Sequence, residues 1–154
     1  QDVVLAAVSS KGYALRYASE RMRNNKEVVL KAVSTSAAAF SMASNRLQLD
    51  PDVAMESVAA NPYTIKDVPE IHLSNRRVVL LAVSEAGMLL DDMLEEYKSD
   101  PEVVLAAVSN NGMALEYASE TMKDNEEIVL AAVRQDVHAL EFASGRLKTQ
   151  IAGQ

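Results

Sequence analysis

The chain has 154 residues, 49% of them hydrophobic, a net charge of −7 and no cysteine. That apolar fraction suffices for a packed core and argues against disorder, while the acidic balance argues against nucleic acid or an anionic membrane as main partner, because both demand a basic footprint. The lack of cysteine removes disulfides, thiolate metal sites and cysteine nucleophiles, and leaves the compartment open with a leaning to the cytoplasm.

The first predicted element carries Val3, Val4, Leu5 and Val8, and the same phrase returns with a period of 25 residues from Val28, Val53, Val78, Val103 and Ile128. A fixed period of this length is the mark of a stacked array. The chain therefore reads as one repeat domain over 1–154, with units 1–24, 25–49, 50–74, 75–99, 100–124 and 125–149 and a tail over 150–154. Positions within a unit are numbered from 1 to 25, so that position 3 is Val3, Val28 and their equivalents.

Each unit opens with a cap. Asn25, Asp50, Asn75, Asp100 and Asn125 occupy position 25, where a side-chain oxygen can accept from a free N–H of the following helix. Pro51 and Pro101 follow at the first helical position, and acidic residues at position 2, broken only by Arg77, suit the positive end of the helix dipole. The first helix thus starts at position 1. Its positions 3, 7, 4, 8 and 5 span an apolar arc of about 200°, wide enough to meet both neighbouring units and a partner helix. Positions 6, 9 and 10 vary.

A second helix is expected from about position 12, capped by Asn61, Ser36, Asn111 or Asp136; Gly12, Gly87 and Gly112 could instead end the first helix. Positions 14, 15 and 18 form its inward side. Pro69 at position 19, where Ser19, Ser44, Ser119 and Ser144 stand in other units, places a break there, and a separate turn returns position 22 to the core. A unit of two short helices plus a turn cannot bury its own apolar face, so stacking must supply the burial. The expected fold is all-α, an α-solenoid forming a right-handed superhelical stack of six repeats.

The run Glu102-Val-Val-Leu-Ala-Ala-Val108, followed by Asn111-Gly-Met-Ala-Leu-Glu-Tyr-Ala-Ser119, resembles the repeat known as domain of unknown function 4116. The resemblance covers units 1, 2, 5 and 6, the first half of unit 4, and unit 3 only weakly. It implies tandem helical repeats and protein binding, and no catalytic residues.

The candidate functional positions are few. His72 stands at position 22 and reads as a packing residue; His138 reads as outward-facing, with no second ligand at metal spacing. Asp91, Asp92, Glu95 and Glu96, with Asp67 nearby, read as a solvated acidic face that Arg76 and Arg77 offset. Neither a phosphate loop nor a nucleophile elbow occurs, so no enzyme, cofactor or metal is expected.

Positions 13 and 17 of the second helix carry large side chains, many of them aromatic or Met. Tyr13, Tyr17, Met42, Tyr63, Met88, Met113, Tyr117, His138 and Phe142 are the expected binding stripe, with packing over the next unit's turn as the other reading. The expected function is a non-enzymatic scaffold that binds a protein or peptide through variable positions 6, 9, 10, 13, 16 and 17. The alternatives are a spacer or oligomerising arm of a larger protein, and an ion- or ligand-binding site on the acidic middle units. Since both terminal units keep the full apolar pattern, the chain is expected to be part of a longer array or to associate end to end.

Overall fold

The computed structural model describes residues 2–153, and every regular element among them is helical. Gln1 and Gln154 lie outside the described residues. The contacts divide the chain into two compact units, Gln1–Leu81 and Ala82–Gln154, with the border inside helix α6 (Arg76–Glu85).

In the first unit α1 (Asp2–Ser10), α3 (Lys26–Thr35) and α5 (Pro51–Ala60) lie side by side, with the segments Gly12–Tyr17 and Ala37–Met42 paired beside them. The second unit repeats this with α8 (Pro101–Asn110) and α10 (Glu126–Gln135), beside Gly87–Asp92, Gly112–Tyr117 and Val137–Phe142. The expected caps are in place. Asn25 Oδ1 accepts from Val28 N at 3.2 Å, Asp100 Oδ1 from Glu102 N at 3.0 Å, and Asn125 Oδ1 from Ile128 N at 3.3 Å. Val28, Val29 and Val33 in the first unit, and Val103, Val104 and Val108 in the second, are fully buried. Burial of each such side chain stabilises by about 1.5–3 kcal/mol before conformational entropy is set against it. Val3, at the same position of α1, is 84% exposed.

The second helix departs from expectation. It is a 3-10 helix of five or six residues, with Ala14 N–H donating to Lys11 O at 2.8 Å and Ala18 N–H to Leu15 O at 3.1 Å. Three residues per turn put positions 12, 15 and 18 on one side, and Gly112, Leu115 and Ala118 are all buried. The small residues at position 14 are enclosed as well, as at Ala39 and Ala114. Of its expected caps, Asn61, Asn111 and Asp136 accept from the N–H two residues on, but Ser36 makes no side-chain cap bond.

The expected turn at positions 19–22 is a one-turn helix, as in α2 (Glu20–Arg23), α4 (Asn45–Gln48), α7 (Glu95–Lys98) and α9 (Glu120–Lys123). It returns Met22, Leu47, Tyr97 and Met122 to the core. In the last repeat, α11 (Gly145–Ala152) continues past position 25, because Gln150 stands where the others have a capping Asn or Asp.

Gly12, Gly87 and Gly112 do not end helices in a left-handed conformation, since no described residue has a positive φ. They open the 3-10 helices and permit contact with the next repeat: a Cβ on Gly112 would lie well inside 3 Å of the Ala132 carbonyl oxygen, and Gly12 stands the same way against Ala32. Position 10, expected to be free, secures this contact. Asn110 Oδ1 accepts from Gly87 N at 2.8 Å and Gln135 Oε1 from Gly112 N at 2.6 Å.

A second tie joins successive repeats at position 19. Ser44 N–H donates to Arg23 O, Ser119 N–H to Lys98 O and Ser144 N–H to Lys123 O, each at 2.9 Å. Pro69 has no N–H to give to the equivalent carbonyl, that of Gln48. His72 supplies the missing donor. Its Nε2 donates to Gln48 O at 2.8 Å, and the side chain is only 2% exposed. His72 is therefore a fully enclosed packing residue that repairs the hydrogen bond proline removes.

The tie is reinforced where Ser144 Oγ and Arg146 Nε, the latter at 3.0 Å, both donate to Asp124 Oδ1. These bonds, the Ser144 one foremost, hold the Asp124 carboxyl below its ordinary value of 3.8. A carboxylate so lowered contributes stability that is complete above the ordinary value and lost as pH falls through the lowered one. Acid titration of the urea midpoint should therefore fall more steeply below pH 3.8 for the parent than for Asp124→Asn; coincident profiles would refute the assignment.

Candidate functional site

All nine residues of the expected stripe lie on the outer side of the 3-10 helices, but the helix type separates them. At about 120° per residue, positions 13 and 17 no longer share a face, whereas positions 13 and 16 do. Arg16 accordingly pairs with Tyr13: its Nη1 donates to the phenolic oxygen, and its guanidinium lies 5.7 Å from the ring centre. Tyr17 stays 82% exposed. Tyr63, Met88 and His138 are exposed, while Met42, Met113, Tyr117 and Phe142 are half-buried. Within one repeat, therefore, positions 13 and 17 present their side chains in different directions. Glu116 foremost, then partial burial and the charges of Asp91 and Asp92, push the Tyr117 hydroxyl above its ordinary value.

The acidic cluster stays on the surface. Asp91, Asp92, Glu95 and Glu96 are exposed, and Glu95 Oε1 accepts from Lys98 Nζ at 3.0 Å. Among the described residues no three His, Cys, Asp or Glu side chains are placed to hold a metal ion, and no helix is long and apolar enough to cross a membrane. Asp67 is also exposed, and so is Arg77.

Two concavities lie elsewhere, on the outer side of the long helices. Position 5, expected inside, is only half-buried at Leu5, Leu30, Met55, Leu80, Leu105 and Leu130. In the first unit Leu5 and Leu30 floor a groove of ≈ 530 Å³, bordered by Ser9, Ser34, Glu27, Lys31 and Glu56. A second of ≈ 340 Å³ runs past Met55 and Leu81, between Asp52, Glu56 and Arg77. Helical geometry arranges these borders in rows: positions 2, 5 and 9 share one face, with acid near the helix start, leucine in the middle and small residues near the end. Asp50 and Asp52 hold Lys26 at 2.9 and 2.6 Å. The Asp52 hydrogen bond first, and then that of Asp50, push the ammonium above its ordinary value.

The sequence did contain a signal for this surface. At 100° per residue, position 5 sits at one edge of the apolar arc, beside positions 9 and 2, while position 10 lies about 20° from position 3. Position 5 is thus the apolar residue turned furthest outward, and position 10 belongs to the packed flank.

A family model described as "Domain of unknown function (DUF4116)" matches residues 1–48 and 100–148. No curated protein and no solved structure matches the chain. The unmatched middle, 49–99, holds the main departures from the repeat, Pro69, His72, Arg77 and Leu94. Two matched stretches, carrying the same helix, 3-10 segment and one-turn helix, make the chain a member of the domain of unknown function 4116 family.

Proposed function

We propose that the chain is a non-enzymatic binding scaffold, an α-solenoid of six 25-residue repeats that receives a peptide segment of a protein partner across its long helices. The solenoid reading is supported by the recurrence of the same interrepeat ties within each unit, the glycine contact and the position-19 hydrogen bond. The peptide reading rests on one observation, the half-exposed Leu5 and Leu30 at one register under an open groove of ≈ 530 Å³. A mostly apolar cleft with a few polar borders suits a peptide side chain better than a reaction centre.

The test is selection of a random peptide library on the folded chain. Enriched sequences should lose at least tenfold in affinity for Leu30→Glu, with its thermal unfolding unchanged because Leu30 is only half-buried. Absence of enrichment, or ligands indifferent to Leu30→Glu, would refute the reading.

A further inference from the structure

We propose that the first unit binds a phosphate group on the edge formed by its one-turn helices, at a site apart from the leucine groove. A concavity of ≈ 370 Å³ there is lined by Glu20, Arg21 and Asn24 of one repeat and by Ser44 and Arg46 of the next. Arg21 and Asn24 stand three residues apart on α2 and its C-cap, so their side chains are neighbours. Arg46 joins them from α4. Its Nε donates to Asn24 Oδ1 at 2.9 Å and its Nη2 to Asn24 O at 3.0 Å, while Ser44 Oγ donates to Asn24 Oδ1 at 2.7 Å. With both donors on Oδ1, the Asn24 Nδ2 amide keeps two hydrogens for another acceptor. The exposed guanidiniums of Arg21 and Arg46 flank it with charged donors.

The second unit forms the same clasp with a different charge. There Ser144 Oγ and Arg146 Nε donate to Asp124 Oδ1, and Arg146 Nη2 donates to Asp124 O at 2.9 Å. Asp124 neutralises the guanidinium, and Thr121 stands where the first unit has Arg21. Holding the repeats together therefore demands neither Asn24 nor Arg21. Both differences act in one direction: one removes a negative charge and the other adds a positive one. Residues 1–50 carry seven Lys or Arg against four Asp or Glu, in a chain whose net charge is −7, so the site lies in the basic stretch of an acidic protein. Glu20 is the one acidic residue of the lining and faces two arginines. Donors on three side chains, brought from two helices, match a tetrahedral ion whose oxygens point in different directions. A planar carboxylate is satisfied by a single guanidinium fork.

The test is NMR titration of the full chain with inorganic phosphate and, in parallel, with capped Gly-Gly-Ser-Gly-Gly peptides whose serine is phosphorylated, unmodified or replaced by glutamate. The side-chain resonances of Arg21, Asn24 and Arg46 report occupancy. Inorganic phosphate should shift all three. The phosphoserine peptide should bind at least tenfold more tightly than the glutamate peptide, and at least fivefold less tightly to Arg21→Thr and to Asn24→Asp. Thr121 and Asp124 already occupy these positions in the clasp with Arg146, so both variants keep the fold. Glu20→Gln should strengthen binding. The ratio of peptide to free-ion affinity distinguishes a phosphorylated protein from dissolved phosphate as the source. Absence of shifts, equal affinity for the glutamate peptide, or binding indifferent to both variants would overturn the proposal. Leu30→Glu should leave phosphate binding unchanged, so this site and the scaffold reading stand or fall separately.

Discussion

Gly112→Val is expected to destabilise the second unit by about 1–3 kcal/mol, the usual range for forcing atoms into a filled contact. The added Cβ would meet the Ala132 carbonyl oxygen, Gln135 Oε1 at 3.0 Å and Asp136 N at 3.1 Å, and two of these three are backbone atoms that cannot swing aside. Relief requires α10 to move away, which also stretches the bond from Gly112 N–H to Gln135 Oε1. Gly145→Ala provides the contrast. Nothing lies within 4 Å of a Cβ there, and the residue opens α11 without a positive φ. That substitution should stabilise by about 0.4–1 kcal/mol, through the entropy of the unfolded chain. Urea unfolding of the two variants beside the parent measures both. A Gly112→Val midpoint equal to the parent's would show that the interrepeat contact is loose.

His72→Leu should cost about 1–2 kcal/mol, although leucine is the residue that position 22 carries at Leu47 and Leu147. The volume is kept and the loss is polar: the Gln48 carbonyl has its 2.8 Å bond from His72 Nε2 and no backbone N–H from Pro69. Adding Pro69→Ser to His72→Leu restores the arrangement of Ser44 over Arg23 and should recover most of the loss. Pro69→Ser alone should change little, since the carbonyl is already satisfied. The double-mutant cycle should show a coupling of about 1 kcal/mol. Additive effects would mean that His72 merely fills space.

Much of the fold was legible because the repeat writes each signal several times. The cap at position 25 and the proline after it agree with the structure, and of the inward positions 14, 15 and 18 most are buried, with Ala14, Ala18, Thr64 and Leu140 only half-buried. The 3-10 geometry was not legible. Only seven residues separate the cap from the break at position 19, and over so short a span three and 3.6 residues per turn place nearly the same residues inside. The difference emerges at the outward positions, where Tyr13 pairs with Arg16 and parts from Tyr17. Positions 13 and 17 share a face at α-helical spacing and part at three residues per turn.

Pro69 and His72 show the same limit in another way. Each reads alone as local drift, a turn residue and a packing residue. Their connection runs through Gln48, 24 residues before His72 in the chain, and only the position-19 hydrogen bonds of the other repeats give it meaning.

The amino-acid order alone determined the period, the helical class and the buried side of each long helix, because capping and hydrophobic spacing act within a few residues. Tertiary structure decided what those spacings leave open. It placed position 10 in the contact between repeats and left position 5 half-exposed, since both sit at the edges of the arc, where a neighbouring helix determines which of two flanks is covered. The glycine at position 12 likewise acquired its purpose only from the carbonyl that packs against it, which belongs to the next copy of the repeat.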